Sequence, residues 1–209
     1  MTRSLRLPEA SPLLQEMVLR LTTLSEFFPL AKELGVRGLS VTMPLKEKVL
    51  PFVDRGDLKL GAINTLVFKQ GEITGVNTDG QGALDALEKR GAVRGKTVVL
   101  LGAGGAARAI ALEAKRRGAL LFIVNRTREK GEALARAVGG VCDFPSRYDI
   151  LINCTPVSPS VAFQPSTLVM DIINRETQFL LEAKSAGCQT VLGEEMFINQ
   201  AAAQAHLWH

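Results

Sequence analysis

The sequence predicts an α/β fold: a parallel sheet layered with helices, joined to a smaller α/β unit lying mostly ahead of it in the chain. Three observations lead there. Residues 96–108 read KTVVLLGAGGAAR, so an unbroken apolar run over 97–101 turns through Gly102-Ala103-Gly104-Gly105 into a helix-forming segment over 106–115. A strand buried on both faces reads as a continuous apolar run of this kind. Beyond it, strand-like and helix-like segments alternate to the C-terminus, which is the rhythm of a βαβ sheet. Before it, hairpin and helix are mixed, and polar residues interrupt the apolar runs.

The 209 residues suffice for one large domain or two small ones, and 46% apolar with 22% charged residues is the balance of a globular protein with a real core. A net charge of +4, with Arg and Lys scattered along helices and no basic block, argues against a nucleic-acid groove. Cys142, Cys154 and Cys188 have neither metal-ligand spacing nor a paired framework and read as reduced thiols of a cytoplasmic protein. The only histidines are His206 and His209, so a histidine-based metal site or triad elsewhere is excluded, and no metal is expected. No segment approaches the ~18 apolar residues of a membrane span. The opening MTRSLRLPEASP lacks the apolar stretch of a signal peptide.

Taken in order, residues 1–12 are polar and Pro-containing and are expected to be a loose start, followed by a short strand over 16–21. Residues 25–35 read as a helix capped by Ser25 and stopped by Gly35, with Pro29 tolerable only near the first turn. Residues 38–42 form a short strand that runs into Met43-Pro44-Leu45-Lys46; Pro44 stops its pairing, and a helix is expected over 47–52. Lys46 then sits at a strand end or on a first helical turn, where a lone lysine is usually solvated. Residues 61–68 read as a strand with polar Asn64 and Thr65 in its middle, 69–72 as a hairpin turn, and 73–77 as the return strand, followed by Thr78-Asp79-Gly80. Turn chemistry accounts for Asp79 but accounts badly for Asn64.

Residues 81–91 form a helical connector with Leu84 and Leu87 on one face, and mark the joint between the two units. The expected division is 1–80 with 195–209 as one domain and 81–194 as the other. After the glycine turn come a strand over 119–124, a helix over 129–138, and strands over 149–156, 168–173 and 190–193. A helix over 178–186 separates the last two. The closing helix, 195–208, carries Met196, Asn199, Gln200, Ala203 and His206 at helical spacing.

Gly102, Gly104 and Ala107 fit G-x-G-x-x-G/A: Gly102 for the tight turn, Gly104 for backbone approach to a pyrophosphate, Ala107 for helix–strand packing. Ala103, Gly105 and Ala106 complete the loop at a helix N-terminus, whose free N–H groups and partial positive charge favour phosphate. This reads as a Rossmann-type dinucleotide-binding domain. At the end of the next strand, where NAD binders carry an acid for the ribose 2′-hydroxyl, stand Asn125-Arg126-Thr127. Asn125 can bond ribose, or cap the following helix, and Arg126 offers an always-charged fork for a 2′-phosphate, so NADP is expected rather than NAD. Ligands of open α/β sheets bind past the carboxyl ends of the strands, which places Thr155, Pro156, Val157, Ile172 and Gly193 around the nicotinamide, with Met196 following on the last helix.

Together LSVTMPLKE (39–47), GAINTLV (61–67), NTDG (77–80), LLGAGGAARA (100–109), NRT (125–127) and GEEMFINQAAAQ (193–204) resemble the shikimate dehydrogenase family. The likeness is closest to the dehydrogenase part of bifunctional dehydroquinate dehydratase/shikimate dehydrogenase, and it covers about residues 24–208. The resemblance implies a Rossmann-type NADP-binding domain plus a smaller α/β substrate domain, with a cleft between them. It implies reversible NADPH-dependent reduction of 3-dehydroshikimate to shikimate, in aromatic amino-acid biosynthesis. It implies Lys46 as the catalytic residue, Asp79 as its partner, and Thr42, Asn64 and Gln200 as substrate contacts. A Lys–Asp pair suits this chemistry, because a proton must reach the carbonyl oxygen as hydride arrives.

The chain departs from the family pattern in three places. The opening strand and the Ser-x-Ser motif for the substrate carboxylate are not found; Ser11-Pro12-Leu13-Leu14 is faintly similar to the end of that motif. The substrate domain is therefore expected to be truncated by its first βα unit, or to receive it from a longer chain or a fused dehydratase. Asn174 stands where a substrate-binding Tyr is usual, and Asn153-Cys154-Thr155-Pro156-Val157 lacks the usual downstream glycine. The alternative is a degenerate homologue that binds NADP without catalysis, serves regulation, or acts on a related polyol acid such as quinate. The persistence of Lys46, Asp79, Asn64 and Gln200 favours the enzyme.

Overall fold

A computed structural model describes residues 23–42 and 44–209. The expected loose start, the strand over 16–21 and the Ser11 segment lie outside these residues.

Helix α1, Leu24–Glu33, is capped by Thr23 rather than Ser25. The Thr23 hydroxyl accepts from the Glu26 amide at 3.3 Å while the Glu26 carboxylate accepts from the Thr23 amide at 3.2 Å. Thr-x-x-Glu satisfies two free donors at once, which a single Ser cap does not. Gly35 (φ 67°) ends the helix as expected. Pro29 falls in its interior and cannot donate to the Ser25 carbonyl; both residues are exposed.

Residues 37–209 carry two sheets. The first contains β1 (Gly38–Ser40), β2 (Arg55–Gly56), β3 (Thr65–Lys69) and β4 (Glu72–Val76), in the order β1-β3-β4-β2. β3 pairs antiparallel with both β1 and β4, and β2 runs parallel to β4. The hairpin closes on Gln70-Gly71, both with positive φ, a turn whose twist matches that of the strands. The helix expected over 47–52 is instead a run of turns over 44–49 and one 3-10 turn, Leu50–Phe52. Pro51 has no N–H to give the Glu47 carbonyl, so an α ladder cannot pass. Asn64 lies just ahead of β3 rather than inside it, because Gly61 in the left-handed region ends another 3-10 turn, Leu58–Leu60.

The second sheet is wholly parallel: β5 (Thr97–Leu101), β6 (Leu120–Val124), β7 (Ile150–Asn153), β8 (Leu168–Asp171) and β9 (Gln189–Val191), in the order β6-β5-β7-β8-β9. Around it lie α2 (Asp79–Glu88), α3 (Gly105–Arg116), α4 (Arg128–Val138), α5 (Gln178–Ser185) and α6 (Gly193–Trp208). Successive β5 side chains enter opposite cores, as strand geometry requires. Val98 and Leu100 join Leu84, Leu87, Ile110, Leu134 and Met196, from α2, α3, α4 and α6. Val99 and Leu101 join Leu151, Val169, Phe179 and Leu180, so α5 covers the other face.

Several bounds differ from expectation. α2 starts at Asp79 instead of Gln81, since a carboxylate is favoured on a first helical turn. α6 starts at Gly193, which leaves β9 to end at Val191. β7 and β8 stop at Asn153 and Asp171, whose side chains bond the following loops: Asn153 Oδ1 accepts from the Thr155 amide at 3.0 Å and Asp171 Oδ1 from the Ile173 amide at 3.2 Å. A side chain at Gly80 would place a carbon 2.3 Å from the Ala109 carbonyl oxygen, and one at Gly82 would come 2.7 Å from that of Met196. Glycine thus lets α2 cross α3 and α6 in backbone contact. No helix among the described residues is long and apolar enough to cross a membrane.

Candidate active site

Four segments converge beside the N-terminus of α2. Lys46, in the turns after β1, places Nζ 2.5 Å from Asp79 Oδ2, with side chains 21% and 7% exposed. The other Asp79 oxygen accepts from Asn64 Nδ2 at 2.8 Å. Asn64 Oδ1 accepts from the Thr78 amide at 2.9 Å and the Thr65 hydroxyl at 2.7 Å. A backbone amide can only donate, so this contact fixes which way round the Asn64 side chain stands. Its Nδ2 also lies 3.2 Å from Gln200 Oε1 and 3.0 Å from Thr78 Oγ1. From α6, Gln204 Nε2 donates to the Asn64 carbonyl at 2.9 Å and to Thr65 Oγ1 at 3.0 Å. Asn77 Oδ1 accepts the Asp79 amide at 3.0 Å, and Asn77 Nδ2 holds the Ala62 carbonyl at 2.7 Å.

The result is a buried amide–hydroxyl–carboxylate network with one ammonium at its rim. Asp79, Asn64 and Gln200 are all buried, and Lys46 is the half-buried member. A buried carboxylate needs a partnered cation and donors, and Asp79 has both. Thr42 is exposed, one residue past Val41, whose amide bonds the Asn64 carbonyl at 2.7 Å. The arrangement can exchange a proton at Nζ and hold hydroxyl groups against side-chain amides.

The glycine turn lies at the carboxyl end of β5. β6 lies on one side of β5 and β7 on the other, so the chain reverses direction across the sheet here, and open sheets take ligands at such a point. Gly102 has φ 111°, and a side chain there would meet Thr155 Cγ2 at 3.2 Å, across from β7. Gly104 caps α3, and a side chain on it would meet nothing within 4 Å. Its backbone therefore faces open space at a helix N-terminus, which fits a diphosphate. Ala103, Gly105 and Ala106 stand beside it, and Ala107 is fully buried against the sheet.

Past β6, Asn125 turns its amide onto the Thr127 carbonyl at 2.8 Å, so it shapes the loop and does not cap α4. Arg126 and Thr127 are exposed, and Arg126 has no ion pair among the described residues. A free guanidinium there fits a 2′-phosphate. At the ends of β7 and β8, Thr155, Pro156, Val157 and Ile172 surround the same end of the sheet. The Thr155 hydroxyl bonds Asn153 Oδ1 at 2.7 Å. Gly193 is buried, and a side chain there would come 2.4 Å from the Ile173 carbonyl oxygen; Met196 is buried one turn later. Burial, with the Asp171 carboxylate adding to it, pushes the Cys154 thiol up, so it stays protonated and is no nucleophile.

Thr78, Thr65, Asn77 and Gln204 belong to the network but were given no site role from the sequence. Gln204 had a signal: it lies four residues after Gln200, on the same helix face. Thr65 had one in being polar within an expected strand, beside Asn64; Thr78 had only its place beside Asp79.

A family profile described as the shikimate dehydrogenase substrate binding domain matches residues 14–66, and one described as shikimate / quinate 5-dehydrogenase matches residues 85–177. A shikimate biosynthesis protein AroDE from Chlamydia muridarum is 39% identical over 88% of this chain, which spans 41% of that protein. A shikimate dehydrogenase (NADP(+)) from Syntrophobacter fumaroxidans is 37% identical over 99% of this chain and 79% of its own length. Among solved structures, shikimate 5-dehydrogenase from Thermus thermophilus, in complex with NADP(H) and shikimate, superposes with a TM-score of 0.76 at 33% identity. That match covers 90% of this chain and 79% of the other.

Proposed function

The chain belongs to the shikimate dehydrogenase family, and on that premise we propose that it catalyses the reversible, NADP-dependent interconversion of 3-dehydroshikimate and shikimate. The observation that carries the reading is the Lys46–Asp79 pair, held inside the Asn64–Gln200 network.

In this reading Asn64 and Gln200 orient the substrate hydroxyls, with Thr42 at the rim. Lys46 Nζ gives a proton to the carbonyl oxygen as it becomes a hydroxyl, and takes it back in the oxidative direction. Asp79 holds Nζ in place, and its second oxygen stays bonded to Asn64. NADPH, when bound, supplies the hydride. Gly102, Ala103, Gly104, Gly105 and Ala106 would hold the diphosphate, and Asn125, Arg126 and Thr127 the adenosine ribose and its 2′-phosphate. Thr155, Pro156, Val157, Ile172, Gly193 and Met196 would wall the nicotinamide. The substrate is a small molecule, and the setting proposed is the cytoplasm.

Reduced nicotinamide absorbance, followed after adding NADP and shikimate to the purified chain, tests this directly. Steady reduction of NADP is expected. Bound NADP with no turnover would overturn the catalytic reading for this chain. Quinate in place of shikimate decides between the two substrates named in the second family description.

A further inference from the structure

Arg108, near the start of α3, reaches out of the cofactor half. Its Nη2 donates to Glu47 Oε1 at 2.8 Å and lies 3.5 Å from the Gly61 carbonyl oxygen. Glu47 directly follows Lys46, and Gly61 lies shortly before Asn64. The Lys46 carbonyl accepts the Ile63 amide at 2.9 Å, so the two segments touched by Arg108 are also tied to each other. On its own side, Nη2 comes 4.0 Å from where a side chain would begin at Gly105, the first residue of α3. Side chains on a helix lean toward its N-terminus, which turns Arg108 toward the phosphate-binding loop. Arg108 Nε is buried with no hydrogen-bond partner among the described residues, so the reach to Glu47 is made with a costly donor left over.

We propose that Arg108 and Glu47 are positioning residues: their ion pair sets the Lys46 turn and the Asn64 loop in register with the glycine turn of the cofactor site. This rests on the reductase reading above. The side chains are 34% and 66% exposed, so the pair adds little to folding stability and weakens with salt. Its effect lies in geometry, because a small displacement of a catalytic group lowers rate without lowering cofactor affinity.

The test uses the full chain as wild type, E47Q, R108Q and the reversed pair E47R/R108E. Each single substitution is expected to lower kcat by about fivefold, the ceiling for a partly exposed ion pair. KM for NADP and the thermal midpoint should stay put, and the reversed pair should recover most of the loss. Added salt should lower wild-type kcat toward that of E47Q and leave E47Q flat. If R108Q raises KM for NADP while E47Q is silent, Arg108 acts on the cofactor itself and the pairing is overturned. A reversed pair no better than the single variants also overturns it.

A second readout needs no turnover. Trp208 is the only tryptophan, and it is anchored to β3 through Nε1 donating to the Leu66 carbonyl at 3.1 Å. Energy transfer from Trp208 to bound NADPH therefore reports the spacing of the two halves. It should change in E47Q and R108Q and return in the reversed pair; identical transfer in all four proteins would overturn the proposal. If the wild type binds NADPH but does not turn over shikimate, the reductase reading fails while the transfer measurement still decides the pair.

Discussion

The glycine turn at 102–105 and the network around Asn64, the two sites proposed for cofactor and substrate, are built by different means. The turn offers backbone from one contiguous stretch, at the end of a strand buried on both faces. The network offers side chains from separate segments; Gln204 and Asn64 are 140 residues apart in sequence. A backbone site depends on local conformation and on the absence of side chains. A side-chain network depends on the whole fold bringing its members together, and each missing member leaves another buried polar group unpaired. The first kind should tolerate change around it, and the second should fail at single positions.

The largest effect that sharpens this contrast is expected at Lys46. Lys46→Ala should lower kcat by about 10²–10⁴, the usual share of a general acid–base group, with NADP affinity unchanged in a binding titration. Loss of cofactor affinity would mean that the two halves are not separable in this way. Next in size is Gly80, where α2 crosses α3. Gly80→Val drives carbon into the Ala109 carbonyl, which backbone cannot evade, and should cost about 3 kcal/mol in denaturant unfolding. Gly104→Ala, placed toward open space at φ −78°, should cost less than about 1 kcal/mol. It should still weaken NADP binding.

Smaller again is Arg126→Gln, which should weaken NADP about tenfold, the share of a charge-assisted hydrogen bond, and leave NAD binding as it was. Equal weakening of both cofactors would remove Arg126 from the 2′-phosphate. The smallest effect concerns acid. Burial alone would raise the Glu113 carboxyl, but hydrogen bonds and charge from Arg116 and Arg117 outweigh it and hold it below the usual carboxylate range. Arg117 also bonds Asp85 and Glu88 of α2, so this cluster ties α2 to α3. A depressed carboxyl contributes stability above its unfolded pKa of ~4.3, and that contribution is lost as pH falls through the folded value. Glu113→Gln should therefore flatten the decline of the denaturant midpoint below about pH 4.

What could be read from the sequence follows the same divide. The run over 97–101, the glycines after it and Arg126 past the next strand carry the roles proposed for them in local sequence, because the backbone motif and its neighbours are adjacent in the chain. The strand-end residues Thr155 and Ile172 follow from the parallel sheet alone. In the other half, Lys46 and Asp79 read by themselves as a solvated lysine and a turn residue, and only family resemblance raised them. Asn64 drew attention through a misplaced strand, since the left-handed Gly61 that delays β3 has no signature distinct from any loop glycine. Thr78 escaped because nothing in a sequence shows that a polar side chain is buried, and Gln204 escaped although its place one turn after Gln200 marks the same helix face. The helix expected over 47–52 failed at Pro51, whose missing N–H outweighs the helical pattern of its neighbours.

Helix α6 behaves as a ruler. Met196 is set in the core beneath the parallel sheet, Gln200 and Gln204 grip the Asn64 network, and Trp208 ends on β3. At about 1.5 Å of rise per residue, the helix fixes the separation of these marks more firmly than any loop could. A residue inserted between Met196 and Gln200 would shift the later marks by ~1.5 Å and turn them through ~100°. The grip proposed for the substrate is thus spaced from the hydrophobic core beneath the proposed cofactor turn by a fixed run of helix.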